Sequence, residues 1–335
     1  RLCSRLRPSR RNARARTSVP SETEAQPTAD FPRPSLFRRL VRWLGLGTIP
    51  LPELRAKYET PASRYVVVDG TRVHYRIEGE GPTLILLHGM LAQLQTWDGW
   101  VEQLRAHYRI VRLDVPGFGL TGPMVRGNYT PEYVVEFFEK IRQALGEERF
   151  HLVGNSLGGF LSWYYAATHP QHVERVILID PLSYPQRMPL LMRFSILPVI
   201  RWFASFWVPR TFIAEGVRQV YGDPRRYTTE TVDRYHDLLL REGNRGAMLK
   251  IFSAATQYFP LGVEHGPWDR IKDIRAKVLL MWGQNDRWLP VSHVERWRAD
   301  LPGIEVKIYP DAGHIPMEEL PEQSAADAHA FLSAR

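Results

Sequence analysis

The stretch HLVGNSLGG, residues 151–159, is where this sequence first shows chemistry. An apolar strand pattern ends, Ser156 stands between Gly154 and Gly158, and a helix pattern begins at once. A nucleophile on so sharp a strand-to-helix turn needs tiny residues two positions to either side, because a Cβ there would collide with neighbouring backbone. Such a turn lifts the serine hydroxyl above the sheet and aims the amino end of the helix at any nearby anion. Taken alone, the motif is also compatible with a glycine-rich turn carrying an incidental serine. Two later stretches add titratable partners: WGQNDRWLP, with Asp286, and DAGHIPMEELPE, with His314.

The elements that must position these residues follow from short apolar runs separated by turn residues. RYVVVDGTRVHYRI reads as two strands joined through Asp69-Gly70, a strong hairpin signal. Further strands are expected at 83–89, 110–114, 151–154, 175–180, 277–283 and 304–310. Helices are expected around 94–107, 131–145, 157–169, 291–300 and 321–333, with Thr130 as N-cap and Pro131 at the first position of the second. Apolar strands alternating with helices imply a mainly parallel sheet covered on both faces. Residues 182–265 break the alternation, are helical in character and read as an inserted cap.

Here the chain resembles the α/β-hydrolase family, from about residue 60 to its end. The resemblance implies a mainly parallel eight-stranded sheet flanked by helices, with a core formed by 61–181 and 266–335 and a helical cap over 182–265. The order of Ser156, Asp286 and His314 is the family order of nucleophile, acid and base, each just beyond a strand on the ligand-binding edge of the sheet. By resemblance, Ser156 is the nucleophile and His314 the general base and then acid. Asp286 would fix the imidazole tautomer and stabilise its cation. Asp180, ending the strand 175–180, is the runner-up for the acid, since some relatives use that position. Asp311 is read as shaping the turn before His314, Asp114 in DVPGFG as a loop brace, and His88 as bracing its own turn. The oxyanion donors implied by the family are the backbone N–H groups of Met90, after His88-Gly89, and of Leu157.

Gly117-Phe-Gly119-Leu-Thr-Gly122 matches a dinucleotide fingerprint, but Pro123 follows at once and the next helix pattern starts only at 131. No helix N-terminus is placed to receive a pyrophosphate, so that reading is rejected. No phosphate-binding G-x-x-x-x-G-K-[ST] loop and no zinc-like Cys/His spacing occur, and Cys3 is the single cysteine. The expectation is an enzyme with no cofactor and no metal.

Hydrophobic residues at 44% and charged residues at 24% exclude global disorder in a chain of 335 residues. The formal charge of +8 suggests nucleic acid until it is located. Residues 1–45 hold eleven Arg against Glu22, Glu24 and Asp30, and the remainder is formally neutral. No nucleic-acid partner is expected. Residues 1–34 read as a disordered basic tail, a composition also found in transit peptides. Within the 35–60 segment of helix and linker, SLFRRLVRWLG (35–45) places Leu36, Phe37, Leu40, Val41 and Leu44 at helical spacing, with Arg38, Arg39 and Arg42 largely opposite. This is a candidate interfacial helix for an anionic membrane, its arginines worth about 1 kcal/mol each there; a short helix packed on the domain is the alternative. No apolar run reaches 18 residues, and a cytoplasmic, membrane-associated location is the expectation.

The cap opens with MPLLMRFSILPVIRWFASFWVPRTF (188–212), dense in Leu, Phe, Trp and Met. Part of it is expected to roof the cleft above Ser156 and favour an acyl chain or aromatic group. The function expected is a serine hydrolase cleaving small apolar carboxylic esters through an acyl-enzyme, of carboxylesterase or monoacylglycerol-lipase type. Hydrolysis of carbon–carbon bonds in ring-cleavage products is the second reading. It is weakened because Ile315 follows His314 where many such relatives carry Trp. Family members that place an aspartate where Ser156 stands, epoxide hydrolases and haloalkane dehalogenases, are disfavoured. A non-catalytic binding protein on the same fold is the reading from a different class.

Overall fold

A computed structural model describes residues 35–195 and 197–334. Cys3 and the basic segment 1–34 lie outside the described residues. The chain enters the sheet through a hairpin, β1 (Ser63–Val68) and β2 (Thr71–Glu78), whose turn residues Asp69 and Gly70 both have positive φ, 46° and 77°. That backbone matches the twist of the flanking strands. The other strands are β3 (Thr83–Leu87), β4 (Arg109–Leu113), β5 (Phe150–Asn155), β6 (Val173–Ile179), β7 (Lys277–Gly283) and β8 (Glu305–Tyr309).

The eight form one sheet in the order β1-β2-β4-β3-β5-β6-β7-β8. The pairs β1–β2 and β2–β4 are antiparallel and all others parallel. Because helices cover both faces, the central strands are apolar without alternation: all of β5, and Leu84 to Leu87 of β3, are buried. The expected helix over 94–107 is instead a 3₁₀ turn, Leu94–Trp97, followed by an α-helix, Asp98–Leu104. The Leu94 amide donates to Asp114 Oδ1 and its carbonyl accepts from Arg112 Nη1, so strand β4 and its exit hold that residue. Pro131 does open the helix Pro131–Leu145, but the Thr130 side chain makes no capping hydrogen bond.

Between β6 and β7 the described residues form five α-helices, Leu190–Ser195, Pro198–Ala204, Arg210–Val220, Thr229–Leu239 and Asn244–Tyr258, and a 3₁₀ helix, Pro267–Asp273. Ahead of the sheet, Ser35 Oγ caps the helix Leu36–Trp43, which has no buried residue. The expected linker after it contains a second helix, Leu51–Tyr58, whose Leu54 is buried with Ile49, Leu120, Leu238 and Leu240. Arg42, expected to face outward, instead pairs with Glu53 of that second helix, Nη2 to Oε2 at 2.8 Å. Among the described residues, no helix is long and apolar enough to cross a membrane.

Candidate active site

Ser156 sits at the carboxyl end of β5 with φ 53° and ψ −114°, a conformation costly for a side-chain-bearing residue. The chain accepts it because its neighbours are glycines. A Cβ on Gly154 would lie 2.1 Å from the Gly158 carbonyl oxygen, and one on Gly158 would lie 2.2 Å from the Leu87 carbonyl oxygen. The helix Leu157–Thr168 starts at the next residue.

Asp286 follows β7 and His314 follows β8, and the structure brings them together: His314 Nδ1 and Asp286 Oδ2 are 2.7 Å apart. The other Asp286 oxygen accepts from the backbone N–H of Trp288 at 2.7 Å and of Leu289 at 3.0 Å. Three donors thus converge on the Asp286 carboxylate, and with Nδ1 engaged there His314 has Nε2 left for a partner in the cavity. Ser156 and His314 line the same cavity.

Asp180, the rival acid, directly follows β6 with φ 42° and is fully buried in the same cluster. One of its oxygens accepts from the Gly283 N–H at 2.9 Å; the other has no hydrogen-bond donor. Burial, then the neighbouring Asp286 carboxylate, raises its pKa well above the usual carboxyl range. Burial and the neighbouring carboxylate both favour the protonated form of Asp180. Asp180, Asp286 and His314 offer ligand atoms within 4.8 Å of one another, the only metal-like grouping among the described residues. Two ligands on one zinc ion stand roughly 3.3 Å apart, for bonds of about 2.0–2.1 Å. The 2.7 Å between Asp286 and His314 is a hydrogen-bond distance with no room for an ion between them.

The other residues singled out from sequence divide by role. Asp114 takes the amides of Leu94 and Leu120 and the His74 ring, so it ties two loops together. His88 accepts from Val115 N–H through Nε2 and donates to the Gly89 carbonyl through Nδ1; burial lowers its pKa and keeps it neutral. Asp311 is exposed, and its carboxylate bonds to no described residue. Gly117, Gly119 and Gly122 form a closed turn, Gly117 N–H to Gly122 carbonyl at 2.6 Å, with no helix behind it. Among the described residues, neither the Met90 nor the Leu157 backbone N–H donates to a protein acceptor. The Met90 side chain lines the cavity with Ser156, whereas that of Leu157 lines a separate apolar void behind the elbow.

Several residues of the site escaped the sequence reading. Asn155 donates from Nδ2 to the carbonyls of Ile179, at 3.1 Å, and His314, at 2.9 Å. Trp288 stacks on the His314 ring at 6.1 Å between centroids and 19° between planes. Glu319 is buried and accepts the amides of Gly313 at 2.6 Å, Gly222 at 2.8 Å and Asp223 at 3.2 Å. The Val220 carbonyl accepts from the His314 amide at 2.7 Å. Gly222 and Gly313 touch so closely that a Cβ on either would stand 2.5 Å from backbone of the other. Only adjacency to a motif residue marks Asn155 and Trp288 in the sequence; nothing there marks Val220 or Gly222.

The cavity above Ser156 measures about 790 Å³. Its roof comes from the inserted helices, through Phe194, Phe203, Phe212, Val217 and Phe252 among others. Among its lining residues the sole Arg, Lys, Asp or Glu is Arg287, an exposed residue.

Fold and site together define a hydrolase of the α/β class. The chain belongs to the alpha/beta hydrolase fold family, whose sequence model matches residues 82–321. It is similar to a 2-hydroxy-6-oxononadienedioate/2-hydroxy-6-oxononatrienedioate hydrolase of Comamonas testosteroni, 26% identical over 76% of this chain and 91% of that one. It is also similar to a monoacylglycerol lipase of Xenopus laevis, 28% identical over 76% of this chain and 77% of that one. Among solved structures, a bacterial membrane phospholipase A matches with a TM-score of 0.68 and 28% identity, covering 88% of this chain and 89% of that one.

Proposed function

We propose that the protein is a serine hydrolase that cleaves carboxylic esters with an apolar acyl or alcohol part. The observation that carries this reading is the strained Ser156 elbow opening, beside the Asp286–His314 pair, into a cavity whose lining is almost free of formal charge. In the proposed reaction Ser156 Oγ bonds to the ester carbonyl carbon while its proton passes to His314 Nε2. The carbonyl oxygen becomes an oxyanion facing the N–H groups of Met90 and Leu157, each worth roughly 3 kcal/mol of barrier in such sites. The C–O bond to the alcohol breaks, and the alcohol leaves with the proton from His314. Water then attacks the acyl-enzyme, giving its proton to His314, and the acid departs as Ser156 regains its proton. Asp286 stays ionised throughout and keeps the imidazolium in place.

A second reading, carbon–carbon bond hydrolysis of ring-cleavage products, is supported by the Comamonas testosteroni relative. Such substrates carry carboxylates, and the cavity lining offers one formal cation, Arg287, which favours the ester. An activity panel separates the two. Purified protein is assayed on p-nitrophenyl and glyceryl esters graded by acyl length, beside ring-fission diketones. Turnover of esters with a preference for longer acyl chains is expected; efficient turnover of the diketones alone would replace the ester reading.

A further inference from the structure

Among the described residues, most of the exposed large apolar side chains lie in 36–44 and 190–212, and several of the latter line this cavity. Leu190, Phe194, Ile200, Phe203, Trp207 and Phe212 line the cavity and are also 41–63% exposed. Outside the lining, Val199 and Trp202 of the helix Pro198–Ala204 are 69% and 62% exposed. On the helix Leu36–Trp43, Leu36 and Phe37 reach 82% and 74%.

These two helices are parts of one face. Trp207 Nε1 donates to the Leu44 carbonyl at 2.9 Å, and the Val208 amide donates to the Gly45 carbonyl at 3.1 Å. A Cβ on Gly45 would stand 1.9 Å from the Val208 carbonyl oxygen, so the approach needs glycine. From below, Arg245 holds the carbonyls of Gly45, at 3.1 Å, and Gly47, at 2.7 Å. Monomeric proteins rarely leave so many large apolar side chains together in water, and such faces mark interaction sites.

The charges around the face identify the partner. Residues 35–52 hold three Arg and residues 181–214 hold four, and neither stretch contains Asp or Glu. Arg42 and Arg210 are committed to Glu53 and Asp233. Arg38, Arg39, Arg193 and Arg201 are exposed and, among the described residues, pair with no carboxylate. An apolar face set with uncompensated cations is complementary to a bilayer of anionic lipid, which takes the side chains below its headgroups and the guanidinium groups on its phosphates. Residues 1–34 are a poor cover: their large apolar side chains are Leu2, Leu6, Val19 and Phe31, and their eight Arg repeat the same sign.

We propose that the helix Leu36–Trp43 and the helix Pro198–Ala204 together dock the protein on an anionic membrane, with the mouth of the active-site cavity facing the lipid. An acyl chain then passes from the bilayer into the cavity without crossing water. The substrate side of this proposal rests on the ester reading of Ser156; the docking side does not.

The test uses the full chain and vesicles of phosphatidylcholine with and without 30% phosphatidylglycerol, by flotation. Wild-type and Ser156→Ala proteins should partition alike, at least tenfold more strongly onto the anionic vesicles, with the preference lost in high salt. Phe37→Glu combined with Trp202→Glu should lower partitioning at least tenfold while leaving the melting temperature, which reports the fold, unchanged. Arg38→Gln with Arg39→Gln and Arg201→Gln should lower the anionic preference severalfold, the arginines of residues 1–34 keeping the remainder. Equal partitioning of wild type and the double Glu variant overturns docking. So does a dimer formed without lipid and abolished by the same substitutions, since the face would then be an interface between copies. Ester turnover does not enter the binding measurement, so vesicle binding by a protein that hydrolyses no ester would remove only the reading of the site.

Discussion

Asn155 Nδ2 lies 2.9 Å from the main-chain carbonyl of His314 and links the residue before the proposed nucleophile to the loop of the proposed base. The two loops leave different strands, and this amide is a direct tie between them. Removing it frees the base to drift, and a misplacement of about 1 Å can cost on the order of a hundredfold in rate. Asn155→Ala should therefore lower kcat for a short ester ten- to a hundredfold with a smaller change in KM. Asn155→Asp should be worse, because a carboxylate would face two carbonyl oxygens. Steady-state kinetics on a p-nitrophenyl ester checks both; an unchanged kcat would mean the loops are held by other contacts.

Ser156→Ala should abolish ester turnover and labelling by a fluorophosphonate, with the melting temperature preserved. Because the members of such a set act as a unit, His314→Ala should cost nearly as much and the double variant little more. Residual turnover by pure Ser156→Ala protein would rule out a serine mechanism.

The two buried acids should respond differently to the same substitution. Asp286→Asn removes the partner of His314 Nδ1 and should lower kcat by about 10⁴. Asp180→Asn changes a carboxyl that does not touch His314 and whose protonated form burial favours, and should stay within about tenfold of wild type. Comparing the two kcat values tests the assignment, and the reverse ranking would move the acid to Asp180.

Asp180 also has a signature in stability. Its folded pKa is raised by burial and by Asp286, above an unfolded value of about 4. Above pH 4 the folded state thus binds the proton that the unfolded state has released, and the stability from this residue falls as pH rises toward the folded pKa. Asp180→Asn has no such titration. Its melting temperature, relative to wild type, should rise as pH is raised from 4 to 8; parallel curves would mean that Asp180 ionises normally.

Glu319→Ala strips a carboxylate from three main-chain amides around Gly313 and Gly222. A cost of about 3 kcal/mol in urea unfolding is expected, with Glu319→Gln losing less. Turnover should fall as well, because Gly313 directly precedes His314.

Much of this architecture could be read from residue order. The strands stand out because their apolar runs are short and end in turn residues, and Gly154 and Gly158 announce the elbow because no larger residue fits there. What escaped the reading depends on side chains meeting across long sequence separations. Arg42 is indistinguishable from Arg38 and Arg39 by helical spacing, yet Glu53 eleven residues on draws it inward. Asp180 and Asp286 look like alternatives on paper; in the fold they are neighbours with different partners, Asp180 on the Gly283 amide and Asp286 on the His314 ring. The helix expected over 94–107 tightens at its start because Arg112 and Asp114, on and beside another strand, claim the Leu94 backbone.

The bond from the His314 amide to the Val220 carbonyl, with Gly222 pressed on Gly313, makes one end of the inserted helices part of the mounting of the imidazole. The insertion is therefore not an exchangeable module. A chimera carrying the corresponding segment of a relative would inherit a new roof and lose the strut beneath its histidine loop, unless the graft stopped short of Val220. Retargeting this enzyme by transplantation is accordingly confined to the stretch ahead of Val220, where residues such as Phe194, Phe203, Phe212 and Val217 line the cavity without holding the histidine loop.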